Sequence, residues 1–232
     1  MVYITGDTHR SFGHIKNFCK NNNTSKEDIL IILGDAGINY YGDPYDMDIK
    51  KYINQLDITL FCVHGNHENR PNNIGRYLEK SWHGGIVFYE KEFPTILFPK
   101  DGEIFDICGS KVLVIGGAYS IDKFFRICNN MKWWSDEQPT LEIKQHTELN
   151  LKLSNYTVDY ILTHTCPLKY QPTEALLCGI NQSMVDTTTE QWLDYIEEIS
   201  QYKKWYAGHY HIDKDFGSIQ FLFNNIIIFG GD

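Results

Sequence analysis

The chain has 232 residues, 42% hydrophobic and 22% charged, a balance that excludes disordered and fibrous proteins and leaves ample length to bury a core. Lys and Arg number 21 against 30 Asp and Glu, a formal charge of −9, which disfavours a protein that grips duplex DNA through a broad basic face. Any phosphate binding must therefore be local.

The first third repeats one pattern. Val2 to Thr5, Asp28 to Leu33 and Thr59 to Val63 are short apolar runs, each like a strand buried on both faces. Between them, Ile15, Phe18 and Cys19 form one helical stripe and Met47, Tyr52, Ile53 and Leu56 another, the second opened by Asp43 as N-cap and Pro44 at the first helical position. The result is β-α-β-α-β. Right-handed crossovers make the three strands parallel and put their carboxyl ends at one sheet edge, where open α/β sheets bind ligands.

Further along, Ile86 to Tyr89, Thr95 to Phe98, Ile104 to Ile107 and Lys111 to Ile115 read as an antiparallel meander. Residues 116 to 139 carry no periodic pattern, and a stretch of that length marks a cap or substrate loop. Thr140 to Leu153 reads as a helix and Val158 to Thr163 as a strand. Thr187 to Ser200 follows as a helix with a Thr187/Glu190 capping box. Ile219 to Phe223 and Ile226 to Phe229 close a terminal hairpin around Asn224-Asn225. With no repeat or linker, residues 1 to 232 form a single domain.

The six cysteines are scattered, without a CxxC pair, and read as reduced thiols. The opening MVYITGDTHR lacks the basic and apolar stretches of a secretory signal, and no apolar run approaches the roughly 18 residues of a membrane span. The expectation is a cytoplasmic protein with no membrane partner.

Chemistry gathers at the strand ends as GDTH (6 to 9), GDAG (34 to 37) and GNHE (65 to 68), then His164 and GHYH (208 to 211). Carboxylate, imidazole and amide oxygen together suit a borderline divalent metal. Two ionised carboxylates in so small a volume are strongly disfavoured without cations, and two ions satisfy the whole set where one does not. Asp7/His9 and His209/His211 are spaced i, i+2, so extended backbone turns both members of a pair to one face.

This ordered series, spread from residue 6 to residue 211, resembles the calcineurin-like metallophosphoesterase superfamily. The resemblance implies an α/β fold, a four-layer α/β/β/α sandwich with mixed sheets, and a binuclear centre of two divalent transition metal ions (Mn, Fe, Zn or Co). Asp7, His9, Asp35 and His211 would hold one ion; Asp35, Asn66, His164 and His209 would hold the other, with Asp35 bridging. The implied reaction is hydrolysis of a P–O bond by a hydroxide shared between the ions, with His67 protonating the leaving oxygen. Arg10, GDAGINY and His64 stand where the phosphoprotein phosphatase branch carries Gly, a DRG block and Arg. The aspartate expected to orient His67 is thereby lost.

Arg10, His64 and Arg70 are candidate phosphate contacts by their placement beside the motifs. Tyr119, Lys123 and Arg126, with Trp133 and Trp134, offer cations and aromatics for one wall of the site, a tryptophan stacking on a nucleobase or simply anchoring the loop. His14, His83 and His146 read as structural or exposed, and Cys166 as a structural thiol. The acidic balance favours a small phosphorylated or nucleotide-like substrate and no stable nucleic-acid partner. A phosphoprotein phosphatase, a nuclease and a non-catalytic scaffold are the alternatives.

Overall fold

A computed structural model describes residues 1–231. β1 (Val2–Thr5), β2 (Ile29–Ile32) and β3 (Thr59–Cys62) run parallel with Val2, Ile29 and Thr59 in register, joined by α1 (Gly13–Asn22) and α2 (Tyr45–Ile53). β4 (Leu78–Trp82), β5 (Gly85–Glu90) and β6 (Phe93–Pro99) form antiparallel hairpins, and β6 docks parallel to β3. β7 (Ile104–Ile107) and β8 (Ser110–Ile115) open a second sheet. α3 (Lys123–Cys128) and α4 (Leu141–Leu153) precede β9 (Tyr160–Thr163), and α5 (Thr188–Ile199) precedes β10 (Lys204–Ala207). β11 (Lys214–Asp215), β12 (Ile219–Phe221) and β13 (Ile227–Ile228) complete the fold. The sheet orders are β13-β1-β2-β3-β6-β5-β4 and β11-β12-β10-β9-β8-β7, both mixed.

Strand periodicity explains the layering. Ile29, Ile31 and Leu33 face the second sheet, while Leu30 and Ile32 face α1 and α2. On the far side, Leu113, Ile161, Trp205 and Phe221 meet Leu151 of α4 and Leu193 and Ile196 of α5. The expected four-layer α/β/β/α sandwich is the result. Phe61 sits between the sheets, stacked on Trp82 and edge-on to Phe105 at centroid distances of 5.1 Å each. Among the described residues, no helix is long and apolar enough to cross a membrane.

Several local expectations are corrected. Pro44, not Asp43, occupies the cap position of α2; Asp43 pairs with Arg76 at 2.6 Å, and Asp46 accepts the N–H groups of Tyr41 and Gly42. The four-strand meander is divided, because the chain leaves the first sheet after β6 and enters the second at β7. Thr187 and Glu190 form no capping box: Asp186 accepts the Thr188 N–H at 2.9 Å, and Glu190 points inward to Thr165. The terminal hairpin is absent because β12 and β13 belong to different sheets, and Asp213 accepts the N–H groups of Phe223, Asn224 and Asn225 where the chain crosses over. Residues 116 to 139 contain α3 and are fastened by the Trp133 indole N–H to Glu137 at 2.7 Å.

Phe61→Ala leaves a void between the sheets and is expected to cost about 3–5 kcal/mol, read as a lower urea midpoint at an unchanged slope.

Candidate metal centre

Five strand ends deliver the motif residues to one edge. Asp7 follows β1, Asp35 follows β2, Asn66 and His67 follow β3, His164 follows β9, and His209 and His211 follow β10. The GDAG and GNHE glycines are required by contact: a Cβ on Gly34 would lie 2.0 Å from His164 Nδ1, and one on Gly65 would lie 2.1 Å from Asp35 N. The i, i+2 pairs do not converge through extended backbone. His9, Asp35, His209 and His211 all have positive φ, between 43° and 66°, so tight left-handed turns bring these side chains to the cluster.

Each aspartate is fastened by one oxygen. His209 N–H donates to Asp7 Oδ1 at 2.9 Å, and His67 N–H donates to Asp35 Oδ1 at 2.8 Å. The second oxygens face the cluster. Asp7 Oδ2 is buried with no hydrogen-bond partner among the described residues and lies 3.3 Å from His211 Nε2 and 3.7 Å from His9 Nε2. The two imidazole nitrogens are themselves 2.9 Å apart. On the other side, His164 Nδ1 faces the Leu33 carbonyl at 2.8 Å and so carries the proton. That leaves Nε2 as an acceptor facing Asn66 Oδ1 at 2.8 Å, with Asp35 Oδ2 at 3.7 Å.

Acceptors that face one another without a donor need a cation between them. Two sets bring their ligand atoms close enough to share an ion, Asp7/His9/His211 and Asp7/Asp35/His164, with Asp7 common to both. Burial would raise the Asp7 carboxyl, but His164, His211 and the His209 N–H outweigh it and bring it down to about 2. Burial pushes His209 well below the usual imidazole range, keeping a lone pair free. Asp7 in turn raises His211.

A family model for calcineurin-like phosphoesterases matches residues 1–213. The chain belongs to that family. A search of curated proteins returns no match. Among solved structures, a phosphopantetheinyl hydrolase from Mycobacterium tuberculosis is similar, with 15% identity, a TM-score of 0.50, and coverage of 96% of this chain and 87% of that one. This calcineurin-like phosphoesterase is thus a phosphoester hydrolase, of a family that uses divalent metals, and the donor set fits such ions.

Beside the centre lies a cleft of about 540 Å³, lined by Asp35, Asn66, His67, His209 and His211 at one end. Burial lowers the His67 imidazole while the Asp35 and Asp122 charges work the other way. Glu68 is not its partner: it is buried, accepts the Gly65 N–H at 3.1 Å, and is pushed up to about 8 by burial and then by Asp35. Of the predicted substrate contacts, only Tyr119 lines the cleft. Arg10 is tied to Asp46 at 2.8 Å, Arg70 to Asp101, and Arg126 to Asp122 at 2.7 Å. Lys123 lies over the Trp133 ring at 4.4 Å. His64 is buried behind the site with neither ring nitrogen hydrogen-bonded among the described residues. Cys166 is buried, its thiol pushed up by that burial. The stretch the sequence reading missed is 171 to 187, which supplies Gln171, Leu176, Leu177, Ile180 and Val185 to the cleft. Its apolar residues have neither helical nor strand period, so no pattern singled them out.

Gly65→Ala displaces Asp35 while leaving the core intact, and bound metal measured by mass spectrometry should fall at least tenfold with circular dichroism unchanged. Glu68 keeps its proton in the folded state between about 4.5 and about 8, where the unfolded chain has lost it. Metal-free protein should therefore lose stability as pH rises through that window, and Glu68→Gln, neutral throughout, should show a flatter urea midpoint from pH 5 to pH 8.

Proposed function

We propose that this phosphoesterase hydrolyses a small phosphorylated substrate at a pair of divalent ions. Asp7, His9, Asp35 and His211 would hold one ion and Asp35, Asn66, His164 and His209 the other, with Asp7 also within reach of the second set. The reading is carried by the acceptor cluster, in which buried Asp7 Oδ2 lies between two imidazoles and His164 Nε2 faces Asn66 Oδ1 acceptor to acceptor. When bound, such ions supply Lewis acidity, lowering the pKa of water and taking up charge on the phosphate oxygens.

The protein's own groups do the rest. Asp35 and Asp7 keep their outer oxygens fixed through the His67 and His209 N–H groups, so nothing must reorganise as the substrate arrives. Water adds to phosphorus as the P–O bond to the alcohol breaks, and His67 gives the departing oxygen its proton. Asp35 and Asp122 favour the protonated imidazole that this step uses, against the pull of burial. The fastened arginines and the cleft's modest volume favour a small molecule over a polymer or a phosphoprotein. All six cysteines are unpaired, which supports a reducing, cytoplasmic setting.

Removing metal with a chelator should abolish turnover of p-nitrophenyl phosphate and its diesters, with recovery on adding Mn²⁺. Asp35→Asn and His164→Ala should lose activity together with metal. His67→Ala should retain metal yet lose about 10²–10⁴ in kcat on esters with poor leaving groups, and less on p-nitrophenyl esters. Undiminished turnover by metal-free protein would refute the assignment.

A further inference from the structure

We propose that the cleft beside the metal centre binds the alcohol part of the substrate, and that this alcohol is an aliphatic chain carrying an amide or hydroxyl group held by Glu190. The proposal rests on the phosphoesterase reading and specifies its substrate class. The cleft is continuous from Asn66, His67 and His209 to a wall of Leu176, Leu177, Ile180 and Val185, with Ile121 and Ile212 also lining it. Leu177 stays 61% exposed and Ile180 36%, so these side chains stand in water beside the reacting centre. Covering them with a chain is favourable by roughly 0.8 kcal/mol per CH₂.

Glu190 supplies the polar element. It is only 4% exposed, yet it lines the same cleft. Its Oε1 accepts the Thr165 hydroxyl at 2.8 Å, and Oε2 is buried with no partner among the described residues. A buried oxygen left unpaired is costly, and an N–H or O–H from the ligand removes that cost. Burial raises the Glu190 carboxyl toward its neutral form, so a group that both donates and accepts, an amide or a hydroxyl, satisfies it in either state. Gln171, whose amide donates to Tyr210 Oη at 3.4 Å, adds a second amide-sized contact on the same wall.

What the cleft lacks narrows the class further. Among the described residues, no Lys or Arg lines it, so it offers nothing to a second phosphate. Trp133 and Trp134 do not line it either: the first donates to Glu137 and the second meets Tyr40 edge-on at 5.6 Å. A nucleobase therefore finds no tryptophan platform here, only the rings of Tyr119 and Tyr210, and AMP in the panel below tests them.

The test uses the Mn²⁺-loaded full chain and follows release of the free alcohol, which monoesters and diesters both give, from n-alkyl phosphates, ethyl to octyl. Chains of equal length with an internal amide, AMP and p-nitrophenyl phosphate complete the panel, each ester also supplied as its methyl diester. The expected result is a kcat/KM that climbs with chain length by up to about fourfold per CH₂, with the amide chains at least tenfold better than plain ones. Leu177→Asp, at an exposed position, should flatten the climb. Glu190→Ala should erase the amide preference and Glu190→Gln restore it, each variant checked by thermal melt. Turnover of p-nitrophenyl phosphate with a flat chain-length profile overturns the substrate class and leaves the phosphoesterase reading standing, as does AMP outperforming every alkyl ester. No turnover of any ester by metal-loaded protein overturns both.

Discussion

Asp7 and Asp35 are carboxylates placed where water does not reach, each with one oxygen fastened to a backbone N–H and the other turned toward acceptors. Such an arrangement costs free energy in the empty protein, and the surrounding fold is organised to hold it. Both aspartates follow parallel strands whose neighbours are apolar on both faces. The polar ends therefore cannot retreat into the sheets. Asp35 and three of its neighbours in the cluster, His9, His209 and His211, sit in left-handed backbone conformations that L-residues adopt at a cost on the order of 1 kcal/mol each. Glycines at 34 and 65 leave room for His164 and Asp35 to pass within contact of the main chain. Strain and repulsion at the edge are thus sustained by the packing of Phe61, Leu33 and Leu162 beneath it and relieved by cations.

The legible part of the sequence was the part where one physical rule acts alone. Fully buried parallel strands need continuous apolar runs, so Val2 to Thr5, Asp28 to Leu33 and Thr59 to Val63 stood out, and their Gly-Asp and Gly-Asn ends marked the site. Rules that need a partner were misread. Thr187 and Glu190 have capping-box spacing, but burial against Thr165 claims Glu190 first. Ile219 to Phe229 has a hairpin's grammar, and nothing local reveals that Asp213 gathers three successive N–H groups there and sends the chain to the other sheet. The exposed strand Leu78–Trp82, half of it polar, had no run to recognise.

Charged loop residues show the same limit in a form that matters for function. Arg10 and Arg70 sit beside motifs and read as phosphate contacts, and Arg126 and Lys123 read as cations of a wall of the site. In the fold, each has a nearer commitment: Asp46, Asp101, Asp122 and the Trp133 ring. An arginine already paired in a half-buried site turns to a ligand only by giving up that pair. These residues are better understood as fasteners. Arg70 ties the turn after the third strand to Asp101 at the crossing between sheets, and Arg126 braces the loop that carries Asp122 into the cleft.

With its cations so committed and a formal charge of −9, the protein has little of its own to attract a phosphate. Attraction must come from the bound ions and be confined to the few ångströms around Asp7 and Asp35, since solvent and salt screen the rest. The phosphoryl group and the alcohol would then be recognised by different means: the first by charge at the sheet edge, the second by the aliphatic and amide-bearing surface of residues 171 to 187. Gln138 links the two flanking segments, accepting the Thr189 hydroxyl at 2.7 Å and donating to Asp186 at 3.1 Å. That contact would hold the wall at a fixed distance from bound ions, the condition for a chain bound on one to place its phosphoester on the other.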